Sequence, residues 1–285
     1  MTDTKKLKNF LEGYSIEVTP GAAAKIDSFS DALPKGTRVY IAHIEGTPIE
    51  DMLVTAKKVN EQGFKAMPHF PARIIKDKNI LSEWIEKYQG EANVDEALLI
   101  AGGANKSYGD FDSSIQLLET ELFDKFSFKR IHIAGHPEGN KDIDPDGSSL
   151  NVDEALSWKY EFSQRTDAKM ALATQFCFES APVIDWVNGI QNKGIDIPVH
   201  IGIAGPAKLQ TLIKYSIECG VGASIKILQK RALDLTKLLL PYKPTQVLQE
   251  LADYKSANPS FNIEQVHFFP LGGMKRVTDF VQESA

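Results

Sequence analysis

At 285 residues, 42% of them hydrophobic and 25% charged, the chain has the composition of an ordinary globular protein and the length to bury a large core. A formal net charge of −6, with Lys and Arg scattered, excludes nucleic acid or an anionic membrane surface as the main partner, since both call for a basic face. No apolar run approaches the roughly 20 residues of a transmembrane helix. The first residues, MTDTKKLKNFLEG, lack the apolar stretch of a signal peptide, so a cytoplasmic location is expected. Cys177 and Cys219 make neither a disulfide framework nor a metal-ligand spacing. Cys177, inside an apolar run, reads as a small core residue.

Short apolar, β-branched runs recur along the chain: YSIEVTP (14–20), RVYIAHI (38–44), FKAMPHF (64–70), ALLIAGG (97–103), RIHIAGH (130–136), MALATQF (170–176), PVHIGIAG (198–205) and QVHFFPLGG (265–273). Their continuous rather than alternating apolar character is that of buried parallel strands. The segments between them carry helical spacing. TPIEDMLVTAKKVNEQG (47–63) sets Ile49, Leu53, Ala56 and Val59 on one face and closes at Gly63. DSSIQLLETELFDKFS opens on Asp112 or Ser113 as an N-cap. APVIDWVNGIQNKG and AKLQTLIKYSIECG stop at Gly194 and Gly220. Residues 206–264 hold further helices, GASIKILQKRALDLTKLLL and KPTQVLQELADYKSA. Eight βα units without a linker predict a (β/α)8 TIM barrel, a single domain over 1–285 with extra helices before the last strand.

Such a barrel works at the C-terminal ends of its strands. Those ends carry Glu17, His43, His69, Gly102-Gly103, His136-Pro137-Glu138, Thr174-Gln175, Gly205 and Gly272-Gly273. Glu17 lies between Ile16 and Val18, so its side chain alternates into the barrel. It reads as a general acid in a partly buried place, or as a core carboxylate paired with Arg38 or Lys65. No strand shows a His-X-His pair, so the residues call for no metal, although His43, His69 and His136 leave a metal-dependent lyase or hydrolase as an alternative. The glycine-containing loops AGGANKSYGD (101–110) and AGHPEGNKDID (134–144) can let backbone meet a phosphate or a flat ring closely, or can be plain tight turns. An amide such as Gln175 can donate and accept at a heteroaromatic edge.

Taken in order, these pieces resemble the methylenetetrahydrofolate reductase family of flavoprotein barrels, over nearly the whole chain. YSIEVTP resembles the family's S-F-E-F-F-P and places Glu17 at its catalytic acid. AMPHF resembles A-P-H-L/F, with His69 at a flavin-contacting position. AGHPEGN resembles the Y/G-x-P-E-x-H loop that lies against the flavin, and ATQFCFE resembles I-T-Q-F-F-F-D, placing Gln175 at the glutamine that reads the pterin. HIGIAG and HFFPLG look like the P-G-I and H-F-Y-T-L-N strands. The resemblance implies FAD as cofactor, held by His43, His69, Ala101, Gly102, Gly103, Ala134, His136, Glu138 and Asn140, with Lys159 and Arg165 for its pyrophosphate. It implies tetrahydrofolate derivatives bound through Gln175, Phe178 and Tyr215, and NAD(P)H or another electron carrier as redox partner. Two departures stand out. The family's fourth strand ends in R-G-D or G-G-D, whereas this chain has Ala101-Gly102-Gly103, so Asp110 or Asp112 must reach back to replace the acid. His136 stands where the family has tyrosine. The branch that shares these features is expected to oxidise 5-methyltetrahydrofolate. A folate-binding protein without reductase activity is the alternative. Apolar positions on the outer helices are compatible with a homo-oligomer.

Overall fold

The computed structural model of the protein describes residues 3–218, 228 and 241–284. Eight parallel strands, β1 (Ser15–Val18), β2 (Arg38–Ile41), β3 (Lys65–Pro71), β4 (Glu96–Ile100), β5 (Arg130–Gly135), β6 (Lys169–Cys177), β7 (Val199–Ala204) and β8 (Ile263–Phe269), follow one another around a closed barrel with flanking helices. The expected (β/α)8 architecture is therefore the observed one. All eight apolar runs form strands, most of them ending before the polar residues that follow. Glu17 and His69 lie inside β1 and β3, and β6 runs on to Cys177 with Thr174 and Gln175 inside it.

Among the described residues the α-helices are α1 (Asp3–Leu11), α2 (Pro20–Ala23), α3 (Ile49–Glu61), α4 (Lys78–Ala92), α5 (Ser114–Glu119), α6 (Leu122–Lys125), α7 (Leu150–Ser163), α8 (Ala181–Asn192), α9 (Leu209–Glu218), α10 (Thr245–Ala257) and α11 (Met274–Ser284). α3 buries Met52, Leu53, Ala56 and Val59 along one stripe. The single helix expected from residue 112 onward is two short ones. Ser113 is the N-cap, its N–H bonded to the Gln116 side chain at 3.0 Å, but Glu121 takes a left-handed φ of 59° and breaks the run. The expected helix GASIKILQKRALDLTKLLL, the stop at Gly220 and Cys219 lie outside the described residues.

The chain divides into two compact units, one of Ser15–Ala134 with Trp158–Leu172, the other of Met1–Tyr14, Gly135–Ser157 and Ala173–Ala285. In the first, Ile16 pairs with Val39 and Val18 with Ile41, while the intervening Glu17 pairs with Tyr40. Side chains alternate across a strand, so the aliphatic set faces the helices and Glu17 and Tyr40 face the barrel interior. An aromatic core forms where Phe70 meets Tyr88 and Phe123 at ring-centroid distances of 5.3 and 5.2 Å. In the second unit, β7 and β8 pair in parallel with a bulge at Val199/His200. Its apolar core gathers Phe176, Phe178, Leu212 and Tyr242. There Lys6 of α1 ties to Asp253 of α10 at 2.8 Å.

Candidate functional site

The first unit concentrates titratable groups on consecutive strands. Arg38, the first residue of β2, forks onto Glu96 of β4 at 2.5 and 3.2 Å, and Lys65 is exposed at the start of β3. Glu17 lies further along its strand, with its side chain only 19% exposed and Oε2 3.3 Å from His69 Nε2. That separation is an ion-pair distance without hydrogen-bond alignment, because His69 Nε2 is buried with no hydrogen-bond partner.

His43 lies two residues past β2, buried, with its ring on Trp84 at 5.1 Å and 30°. Its Nε2 is 3.0 Å from the Thr47 carbonyl, which only accepts, so that nitrogen carries the proton and Nδ1 is left as a bare acceptor. Nδ1 is buried and unpartnered. Burial holds the His43 pKa below its usual value; the Thr47 bond opposes this and the neighbouring His69 adds to it. Sequence reasoning passed over Tyr40 and His132, two fully buried polar residues whose Oη and Nδ1 share a short hydrogen bond. The signal was there in the repeated Arg-x-Tyr/His-Ile-Ala of RVYIA and RIHIA.

After β4, Ala101 and Gly102 are half-buried and Gly103 is exposed. Gly102 has φ +93°, and a Cβ there would lie 2.8 Å from Pro71 Cβ, so packing within the turn alone demands glycine. Arg73 organises this loop. Its N–H donates to Ala101 O at 3.0 Å, Nη1 to Ala104 O at 3.1 Å and Nε to Asp112 Oδ1 at 3.2 Å. Ser107 Oγ donates to the same Asp112 oxygen at 2.8 Å. Asp112 is thus held in this loop by Arg73 and Ser107. The Asp110 N–H bonds Lys76 O, and its side chain is exposed.

Lys159, on α7, is 5% exposed, and no hydrogen bond or ion pair engages its ammonium among the described residues. Burial pulls its pKa down to about 8. Arg165 is exposed beyond the end of α7, over the Phe162 ring at 4.5 Å and 3.8 Å from Glu121.

In the second unit, His136, Glu138 and Asn140 are half-buried in the loop after β5; Ala134, in the first unit, is half-buried as well. The Asn140 side chain accepts the Asp142 N–H at 2.9 Å, a local turn. Asp144 is buried and accepts the Asn151 and Val152 N–H groups at 3.0 Å each, capping α7. Burial pushes its pKa up, but these bonds together with those from the Asn151 and Ser148 side chains outweigh it and leave it lowered. Gln175 is the exposed residue in the otherwise buried run of β6 from Met170 to Cys177. The Thr174 hydroxyl just before it donates to Gln175 O and accepts the Gly202 N–H, both at 2.9 Å. Phe178 is 8% exposed, edge-on to Phe176 and Tyr242, within the apolar core. Tyr215, on α9, is 37% exposed. Cys177 is buried, and burial, with the Glu138 charge adding, drives its thiol pKa up and leaves it inert.

Among the described residues no group of three or more His, Cys, Asp or Glu could hold a metal ion, and no helix is long and apolar enough to cross a membrane. No protein-family model matches the chain. Among solved structures, the chain is similar to an uncharacterised protein from Clostridium thermocellum that binds two copies of 5-methyl-5,6,7,8-tetrahydrofolic acid. The TM-score is 0.59 at 8% identity, over 99% of this chain and 98% of the other, a likeness of fold.

Proposed function

We propose that this chain is a folate oxidoreductase that interconverts 5,10-methylenetetrahydrofolate and 5-methyltetrahydrofolate with FAD as cofactor. The observation that carries the reading is Glu17, a carboxyl in the interior register of β1, largely withdrawn from water and 3.3 Å from His69. A proton-transfer group of this kind, late in a barrel strand, is what opening and closing a folate ring at N10 requires. The 5-methyltetrahydrofolic acid bound by the Clostridium protein, on the same fold over nearly full length, supports a reduced folate as substrate class.

FAD carries an anionic pyrophosphate and a flat ring. Lys159 fits the first, being a buried ammonium that no carboxylate neutralises among the described residues. The bare Nδ1 of His43 fits a ring donor on the second. Bound flavin supplies the two-electron step. The remaining roles belong to this chain. Glu17 gives a proton to N10 as the ring opens and takes it back as the ring closes. Gln175 hydrogen-bonds the pterin edge, and Tyr215 packs on the p-aminobenzoate side. NAD(P)H or another carrier serves as the redox partner.

The test is a visible spectrum of the protein loaded with FAD, then anaerobic addition of 5-methyltetrahydrofolate. Bleaching of the band at about 450 nm, a property of the cofactor, is the expected result. A protein that takes up no FAD sinks the reading. One feature favours a second reading, folate binding without catalysis: Ala101–Gly103 offers no carboxylate, and Asp112 is engaged by Arg73 and Ser107. Tight folate binding without FAD uptake is its signature.

A further inference from the structure

We infer that Arg130, His132 and Tyr40 form a directional hydrogen-bond chain that aims a hydroxyl donor at Glu17 and keeps its carboxyl in the ionised, proton-accepting form. The catalytic consequence rests on the proposed function; the chain itself does not.

The direction follows from what each group can do. Arg130 Nη1 is 3.5 Å from His132 Nε2, and a guanidinium only donates, so Nε2 is the accepting nitrogen. The imidazole proton then sits on Nδ1 and faces Tyr40 Oη, assigned from the network. Having accepted there, the tyrosine hydroxyl turns its own proton elsewhere. The two carboxylates whose charges bear on that hydroxyl are Glu96 and Glu17. Glu96 is already held by the Arg38 fork. Glu17 is the residue paired with Tyr40 across β1 and β2, and both point into the barrel. Tyr40 and His132 are fully buried, where a hydrogen bond is worth more than in water. The charged and titratable groups that bear on the Tyr40 hydroxyl within the unit are thus Glu17 from β1, Arg38 from β2, Glu96 from β4, and Arg130 and His132 from β5, and His69 from β3 faces the Glu17 carboxyl.

Tyr40 is a positioning residue with a consequence for direction. A carboxylate stabilised by a donor rests as a base. It suits the direction in which the methyl carbon is oxidised, for which bound flavin would supply the two-electron chemistry. The N10 lone pair closes the ring onto that carbon, and the N10–H proton passes to Glu17, its bonding pair remaining on nitrogen.

The experiment is a pH titration of the Glu17 side-chain carboxyl by 13C NMR in FAD-free protein, its resonance identified by its loss in Glu17→Gln. Tyr40→Phe keeps the ring and deletes the donor, and should raise the midpoint by about one pH unit. His132→Asn, which keeps an N–H in the place of Nδ1, should titrate close to wild type, while His132→Leu should follow Tyr40→Phe. An unchanged midpoint in Tyr40→Phe overturns the inference, as does equal behaviour of the Asn and Leu variants. The shift in a protein that turns over no folate supports the chain and removes only the reaction.

Discussion

The strand ends of the two units offer different kinds of side chain. Over Ser15–Ala134 they carry Glu17, His43, His69 and, below them, Tyr40 and His132, groups that hold or pass protons and sit against one another. In the other unit His136 and Glu138 follow β5, and the end of β6 carries an amide with water access, Gln175, among residues fixed by packing: Thr174 bridged to Gly202, Phe178 in an apolar core and Cys177 sealed beneath. On the proposed function, the cluster of the first unit does the acid–base work and the end of β6 recognises by shape and neutral hydrogen bonds. The difference separates two things a ligand needs, a proton at the right atom and a surface that identifies it, and makes each removable alone.

The largest expected effect breaks the proton-handling half. Glu17→Gln should lower anaerobic reoxidation of reduced flavin by 5,10-methylenetetrahydrofolate, in which ring opening comes first, about 10²–10⁴-fold in stopped flow, the usual worth of a general acid or base. Folate affinity in the same variant should stay near wild type. Comparable turnover would take Glu17 out of the role.

The next test concerns Lys159, whose pKa falls from the usual 10.5 to about 8 on burial. A folded-state pKa below the unfolded one means that the charged form costs stability below pH ~8, and that the cost is relieved as pH rises toward ~10.4. Wild-type thermal stability without ligand should therefore climb over that window. Lys159→Met should flatten the climb, stabilise the protein at pH 7 by about 3 kcal/mol at 1.36 kcal/mol per pH unit, and weaken FAD uptake. Greater stability with undiminished FAD uptake would make Lys159 a core residue only.

The smallest effect belongs to the recognition half. Gln175→Leu should weaken 5-methyltetrahydrofolate binding by about 1–3 kcal/mol in calorimetry, as for a lost polar contact, and leave the pH profile of turnover in place. A moved pH profile would dissolve the division between the units.

Strand positions were legible because parallel strands buried on both faces are continuous apolar runs, which little else of that length imitates. Their ends were less so, since the apolar signal of RVYIAHI carries past Ile41, where pairing stops. The break at Glu121 was illegible because a left-handed glutamate has no composition signal. Glu17 could be read from alternation alone, but its partner could not. Nothing in the spacing selects His69 over Arg38 or Lys65, and the choice is made by register: Arg38 and Lys65 pair with each other at the starts of their strands. The partner of Asp112 was hidden for the same reason, Arg73 being 39 residues away.

Arg73 has a kinetic consequence. It fastens the loop after β4 at Ala101, Ala104 and Asp112, and its own carbonyl receives the Tyr108 N–H at 2.8 Å. A rim stitched at four places has already lost the backbone freedom that an open loop surrenders on binding, about 1–2 kcal/mol per residue. On the proposed function a ligand arriving there meets a finished wall, so capture should proceed in one concentration-dependent phase, with no slower ordering of this loop behind it.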